Sequence, residues 1–346
     1  MDINNDGHAD IISGSWPGEI FLFRGTENHS FTAPEMIKDK DGKFINIGGG
    51  IRKQTMFNPW DQDPPEGLLI AGYAKFEHTP DGTFVNYHGQ RLESTPERPI
   101  GITGTASAAH AADWDSDGDY DLIIGTVTGN VYLVQNEGTP ESYVFGREKH
   151  IQAGGQAIDV ERSAAPFTAD WDGDGDLDLL VGADDGSVSL YQNTGTTKSS
   201  ELASAVQLVP PVEKIPYQHP PREVRRGSRS RICVTDWNED GRLDLLVGDL
   251  AVQEPNLPEP TPEQKAEHAE IRKELDKFEE HYRTLSEKLF VKDQARTKEQ
   301  IEQIEKEQQE VSDRMTELYS KLPAESERHG WIWLFLRKEI NRISAD

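Results

Sequence analysis

The sequence predicts a mainly β fold: a β-propeller of about five recognisable repeats, with a helical hairpin inserted in the last blade. Three observations carry this. An Asp-rich motif recurs along the chain, and each clear copy ends in a short apolar run that a Gly-marked turn connects to a second, alternating run. One interval between such runs is filled instead by a long charged segment with helical spacing.

The motif reads DWDSDGDYDLIIG at 113–125, DWDGDGDLDLLVG at 170–182 and DWNEDGRLDLLVG at 236–248. These align without gaps. DINNDGHADIISG at 2–14 matches with Ile3 in place of Trp, and PWDQDPPEGLLIAG at 59–72 is a degenerate fifth copy that needs one inserted residue. Successive copies start about 57 residues apart. That is long enough for a four-stranded blade and matches the periodicity of propeller repeats.

The LLVG-type run after each motif is short, apolar and β-branched, as in a buried strand. Gly14, Gly125 and Gly182 are each followed four residues on by Gly18, Gly129 and Gly186, spacing that marks tight hairpins. EIFLFR, NVYLVQN and SVSLYQN then alternate with period two, as a strand with one buried face does.

After Gly248 the pattern lapses and resumes only at Gly330 with WIWLFLR (331–337). Three segments follow: blades over 1–250, an insertion over 251–329, and return strands over 330–346. The insertion opens Pro-rich. Ile271, Leu275, Phe278, Tyr282, Leu285 and Leu289 then form one heptad stripe, and Ile301, Ile304, Val311, Met315, Leu318 and Leu322 a second. Thr261 with Gln264, and Thr297 with Gln300, read as capping boxes. The fixed ends of the blade favour two antiparallel helices of about 26–29 residues over one long helix.

Alternate side chains of D-x-[DN]-x-[DN]-G-x-x-D converge on one point, and the Gly permits the turn. Such a set suits Ca²⁺, which takes six to eight hard oxygen ligands. About four sites are expected. Their side-chain ligands are Asp2, Asn4, Asp6 and Asp10; Asp113, Asp115, Asp117 and Asp121; Asp170, Asp172, Asp174 and Asp178; Asp236, Asn238, Asp240 and Asp244. Motif position seven varies (His8, Asp119, Asp176, Arg242) and is expected to offer only its backbone carbonyl. An EF-hand is excluded, because position twelve is Ser13, Ile124, Val181 or Val247 rather than a bidentate Glu.

These residues resemble the FG-GAP or VCBS-type repeats of calcium-binding β-propellers, found in integrin α-subunit heads and many secreted bacterial proteins. The resemblance spans 1–250 and 330–337. It implies structural calcium ions, a binding role and a location outside the cytoplasm: extracellular, periplasmic or at the cell surface.

The net charge is −26, with 62 acidic against 36 basic residues. Nucleic-acid binding, which needs surplus Lys and Arg, is disfavoured. No apolar run is long enough to span a bilayer. The single Cys233 excludes an internal disulfide framework. The first repeat starts at Met1 with no preceding inner strand. Either upstream sequence bearing a secretion signal or a closing strand from RISAD (342–346) is expected to supply it.

Arg52, Arg162, Arg229 and Arg231 precede inner strands and form a possible rim for an anionic ligand such as a uronate. Trp114, Trp171 and Trp237 occupy one motif position and are expected to pack between blades, and His110 is expected to be structural. Trp16 lies on a turn. No H-E-x-x-H, G-x-S-x-G or P-loop pattern occurs. The leading reading is a non-catalytic calcium-binding scaffold for a protein or carbohydrate ligand. A propeller lyase or hydrolase acting on polysaccharide is the first alternative. An assembly subunit, a homo-oligomer or one docking a partner through the helical arm, is the second.

Overall fold

The structure, a computed structural model, describes residues 1–15, 18–42, 44–45, 47, 108–213, 220–290 and 297–338, together with the backbone of three strands between 75 and 94. The chain divides into two compact units. One comprises residues 1–214, 225–251 and 329–346, and the other 215–224 and 252–328.

The first unit is a series of small antiparallel sheets in a propeller-like arrangement. Its first sheet runs β1 (Ile11–Gly14), β2 (Ile20–Phe23), β3 (Glu35–Met36). A separate meander follows, β4 (Lys75–Thr79), β5 (Gly82–Tyr87) and β6 (Gln90–Ser94). The second blade contains β7 (Ala108–Ala112), β8 (Asp121–Gly125), β9 (Val131–Val134) and β10 (Lys149–His150), all neighbours in sequence order. After a two-stranded hairpin, β11 (Gln152–Ala153) with β12 (Gln156–Ala157), comes the third blade: β13 (Ala165–Ala169), β14 (Asp178–Gly182), β15 (Val188–Tyr191) and β16 (Val206–Val209). The fourth contains β17 (Ser228–Thr235), β18 (Asp244–Gln253), β19 (Glu327–His329) and β20 (Ile332–Phe335).

The sequence explains these strands directly. β8 and β14 are buried along their whole length, as second strands flanked on both faces must be. The turn after each is closed by the Gly four residues on. Gly129 adopts φ 97° and donates to the carbonyl of Thr126 at 3.1 Å, and Gly186 (φ 83°) does the same to Ala183 at 3.2 Å.

Alternation then sorts side chains between neighbouring blades. In the second blade Leu122, Ile124, Tyr132 and Val134 pack against Ile3, Ile20, Leu22 and Ile37 of the first. On its other face, Ile123 and Val131 pack against Leu179, Val181 and Tyr191 of the third. The third in turn places Leu180, Val188 and Leu190 against Leu245 and Val247 of the fourth.

Among the described residues the blade count is four, not five. The first and second blades share one core directly, and polar bonds cross the same seam. Lys40 N–H donates to the Phe145 carbonyl at 2.8 Å, and Arg24 Nη2 to Tyr143 Oη at 2.7 Å. The two are therefore neighbouring blades. The degenerate motif at 59–72 lies outside the described residues, and among those described the β4–β6 meander shares no ladder with another sheet.

The interruption of the fourth blade falls in its β18–β20 turn. Gly248 pairs with Ile332 and Leu245 with Phe335, so the WIWLF segment returns as the next strand. β18 continues to Gln253 and the chain re-enters strand at Glu327, so strand pairing extends into both ends of the interruption.

In the second unit α1 (Pro262–Phe290) and α2 (Lys298–Tyr319) form an antiparallel pair. Both capping boxes form: Gln264 N–H donates to Thr261 Oγ1, Gln300 N–H to Thr297 Oγ1, and each Gln side chain accepts in return. Because Thr297 fixes the start of α2, that helix has 22 residues, fewer than expected. Ile271, Leu275 and Leu318 make the shared core, and polar Gln308 meets Ser286 Oγ at 2.9 Å in the seam. The predicted stripes are thus spent largely on each other. No helix among the described residues is long and apolar enough to cross a membrane.

Candidate metal centre

The four intact motifs fold into one loop conformation. Position four is left-handed in each: Asn5 (φ 53°), Ser116 (55°), Gly173 (82°) and Glu239 (58°). The Gly at position six follows suit, with Gly118 at φ 100° and Gly175 at 96°. The first Asp holds this bend by accepting backbone N–H groups across the loop. Asp113 takes those of Asp117 and Gly118 at 3.0 and 3.2 Å, and Asp170 those of Gly173 and Gly175 at 2.8 and 3.1 Å.

Position nine is a staple. Asp121 Oδ2 accepts from Trp114 N–H at 3.2 Å and Oδ1 from Asn136 N–H at 2.7 Å. Asp10, Asp178 and Asp244 repeat the pattern with Ile3 and Gly25, Trp171 and Asn193, and Trp237 and Arg337. All four carboxylates are buried. Each joins the start of its loop to the residue just past the strand that pairs with the apolar strand after the loop, so both oxygens already serve the fold. The sequence reading gave these residues to the metal; the structure places Asp121 and Asp178 outside the tight three-carboxylate clusters.

Those clusters form in two loops. Asp113, Asp115 and Asp117 bring carboxylate oxygens within 4.8 Å of one another, as do Asp170, Asp172 and Asp174. The position-seven carboxyls lie outside those groups of three but are buried beside them. Asp119 is 4% exposed and Asp176 8%, and in each Oδ1 is buried with no hydrogen-bond partner, as is Oδ1 of Asp115. Burial and the neighbouring Asp117 raise Asp119 to about 6. Burial first, then Asp174, raises Asp176. Asp121 is pushed to about 7 by burial, although the Asn136 N–H opposes the shift.

Crowded, desolvated carboxylates with unpartnered oxygens are what a hard divalent cation relieves, and an all-oxygen donor set fits Ca²⁺. Gln135 and Gln192, unassigned in the sequence reading, steady the clusters by donating Nε2 to Asp115 and Asp172 at 2.7 and 2.5 Å. The signal was present in the repeated Gln-Asn pair that ends NVYLVQN and SVSLYQN.

The outer two loops differ. In the first, Asn4 Nδ2 donates to Asp6 Oδ2 at 2.9 Å; in the fourth, Asn238 Nδ2 does so to Asp240 Oδ2 at 3.0 Å. Arg242, expected to offer only its backbone carbonyl, brings its side-chain Nη2 to 2.6 Å from Asp240 Oδ2. Desolvation works to raise Asp240. The Asn238 amide and the N–H and guanidinium of Arg242 outweigh it and hold Asp240 below the usual carboxylate range.

Of the arginine rim, Arg52 lies outside the described residues. Arg162 and Arg229 come together through the backbone, since Asp184 N–H donates to the Arg162 carbonyl and Arg229 N–H to that of Asp184. Arg229 Nε also pairs with Asp184 Oδ1 at 3.4 Å, while Arg231 reaches the Ser163 carbonyl at 3.4 Å.

Trp114 is buried between blades, and Arg337 stacks on Trp171 at 4.9 Å. Trp237 was expected between blades but is 59% exposed. Trp16 and RISAD (342–346) lie outside the described residues. His110 Nε2 accepts from Thr168 N–H at 3.2 Å and meets Thr168 Oγ1 at 2.9 Å, tying β7 to β13.

Residues 113–181 and 170–247 match the model of the FG-GAP-like repeat. Together with four blades carrying the same loop, this match supports an FG-GAP-type β-propeller, a fold suited to a ligand-binding scaffold. A search of curated proteins returns no match to this chain.

Proposed function

We propose that this protein is a non-catalytic, calcium-pinned binding scaffold that works outside the cytoplasm on a protein or carbohydrate ligand. The observation that carries the calcium reading is the buried, unpartnered Oδ1 of Asp119 beside Asp113, Asp115 and Asp117, repeated at Asp176. Asp113, Asp115, Asp117 and Asp119 would hold one ion, and Asp170, Asp172, Asp174 and Asp176 a second. Each would neutralise a loop that otherwise repels itself and would fix the junction of the first two strands of its blade.

The absence of catalysis is supported by where perturbed carboxylates occur. Among the described residues those raised are Asp119, Asp121, Asp176 and Asp178. They are equivalent members of two repeated loops, not an acid and a base converging from different blades.

Thermal unfolding with and without about 1 mM Ca²⁺, in the range that fills extracellular-type sites, tests the reading. Calcium should raise the melting temperature, because it binds the folded state alone. The rise should shrink when Asp115 and Asp172 are changed to Asn. An unchanged melting temperature with no calcium by elemental analysis would refute the proposal.

A further inference from the structure

Loops 113–121 and 236–244 share a backbone but differ in charge. The left-handed residues correspond, Ser116 with Glu239 and Gly118 with Gly241, at φ 55° and 58°, and 100° and 81°. The capping bonds correspond as well. Asp236 accepts from Asp240 and Gly241 at 3.0 and 2.8 Å, as Asp113 does from Asp117 and Gly118. What differs is position seven. Asp119 adds a fourth carboxylate beside the other three, whereas Arg242 brings a guanidinium to the carboxylate of position five.

The consequences for a cation are opposite. Asp240 Oδ2 accepts both the Arg242 guanidinium and the Asn238 amide. No carboxylate oxygen of this loop is buried without a partner, unlike those of Asp115, Asp119 and Asp176. A divalent ion here would have to displace an ion pair and reorient an amide, and would then sit beside a fixed positive charge. It would also find fewer carboxylates, and ligand charge count sets the affinity of such sites.

We propose that Arg242 is a resident cation standing in for calcium, so that the fourth blade is pinned by the chain's own guanidinium and loop 236–244 binds no ion. The inference rests on the calcium reading of loops 113–121 and 170–178. It makes position seven the residue that decides whether a loop takes a metal.

The test is the number of Ca²⁺ bound per chain, measured by equilibrium dialysis on the full-length protein with its Arg242→Asp, Asp240→Asn and Asp117→Asn variants. Circular dichroism and melting confirm that each is folded. Asp117→Asn should lower the count by one, and Asp240→Asn should leave it unchanged. Arg242→Asp should raise it by one and make the calcium-induced rise in melting temperature larger than in wild type. Arg242→Lys, which keeps the charge, should add no ion. A wild-type protein that binds no calcium would overturn the calcium reading itself. A wild-type protein that binds calcium but loses an ion on Asp240→Asn, or gains none on Arg242→Asp, would overturn the role of Arg242 alone.

Discussion

Asp121 accepts the backbone N–H of Asn136 at 2.7 Å, and Asp178 accepts that of Asn193 at the same distance one repeat later. Each Asn turns its own Oδ1 onto two further N–H groups, Gly138 and Val144 for Asn136, Gly195 and Glu201 for Asn193. A chain of hydrogen bonds thus runs from the Asp loop to the outer edge of the blade.

Loss of this staple should be felt without any metal. Asp178→Ala strands two buried N–H groups, each costing about 1–3 kcal/mol, so urea unfolding in a chelator should show a loss of about 2–6 kcal/mol. Asp172→Ala under the same conditions should cost far less, since its carboxylate mainly crowds the neighbouring acids. Equal losses would show that positions three and nine do not divide the work as the hydrogen bonds indicate.

Asp119 carries the reverse signature. Its carboxyl is raised to about 6 when folded, above the 3.8 of an unperturbed Asp, so at neutral pH its charge opposes folding. Asp119→Asn should stabilise the metal-free protein by about 1–2 kcal/mol and weaken its response to calcium. Calorimetry of chelated and calcium-loaded samples gives both numbers. A variant less stable than wild type in chelator would contradict the crowding argument.

His110 predicts a pH effect of definite sign. Burial lowers it to about 4 from 6.5, so between those values the unfolded chain binds the extra proton. Its contribution is complete above pH 6.5 and is lost as pH falls towards 4, by up to about 3 kcal/mol. The measurement belongs in saturating calcium, because the raised carboxylates of the loops trend the opposite way when metal-free. Replacing His110 by Gln should flatten this part of the profile; an unaltered slope would assign it elsewhere.

Two glycines separate backbone strain from steric exclusion. Gly118 has φ 100°, and a Cβ added there would meet no atom within 4 Å, so Gly118→Ala should cost about 1–3 kcal/mol of strain alone. At Gly129 (φ 97°) a Cβ would collide with the Val160 carbonyl as well. Gly129→Ala should therefore be the more damaging of the two in chemical denaturation, and the reverse order would disprove the turn geometry.

Much of this was legible in the sequence because the repeat makes each blade a test of the others. The Asp loops, the Gly-closed hairpins and the return of WIWLF after a long interruption all follow from local spacing. The heptad stripes and capping boxes likewise announced both helices. Each rests on contacts between residues close in sequence or on a pattern repeated several times.

Other features needed the packed molecule. That Ile20 and Leu22 meet Leu122 and Ile124, making the first and second blades neighbours, depends on contacts about a hundred residues apart. Whether a motif carboxylate faces solvent, a metal or a backbone N–H depends on burial, which separated Asp121 from Asp115 although both are Asp in one motif. The direction of the Arg242 side chain likewise follows from the nearest carboxylate once the loop has bent. Sequence by itself determined the repeat, its loops and its strands, because those are set by local backbone preference and periodicity. Tertiary structure decided the blade count and the task of each charged group, because those depend on which surfaces exclude water and which charges are left to face one another.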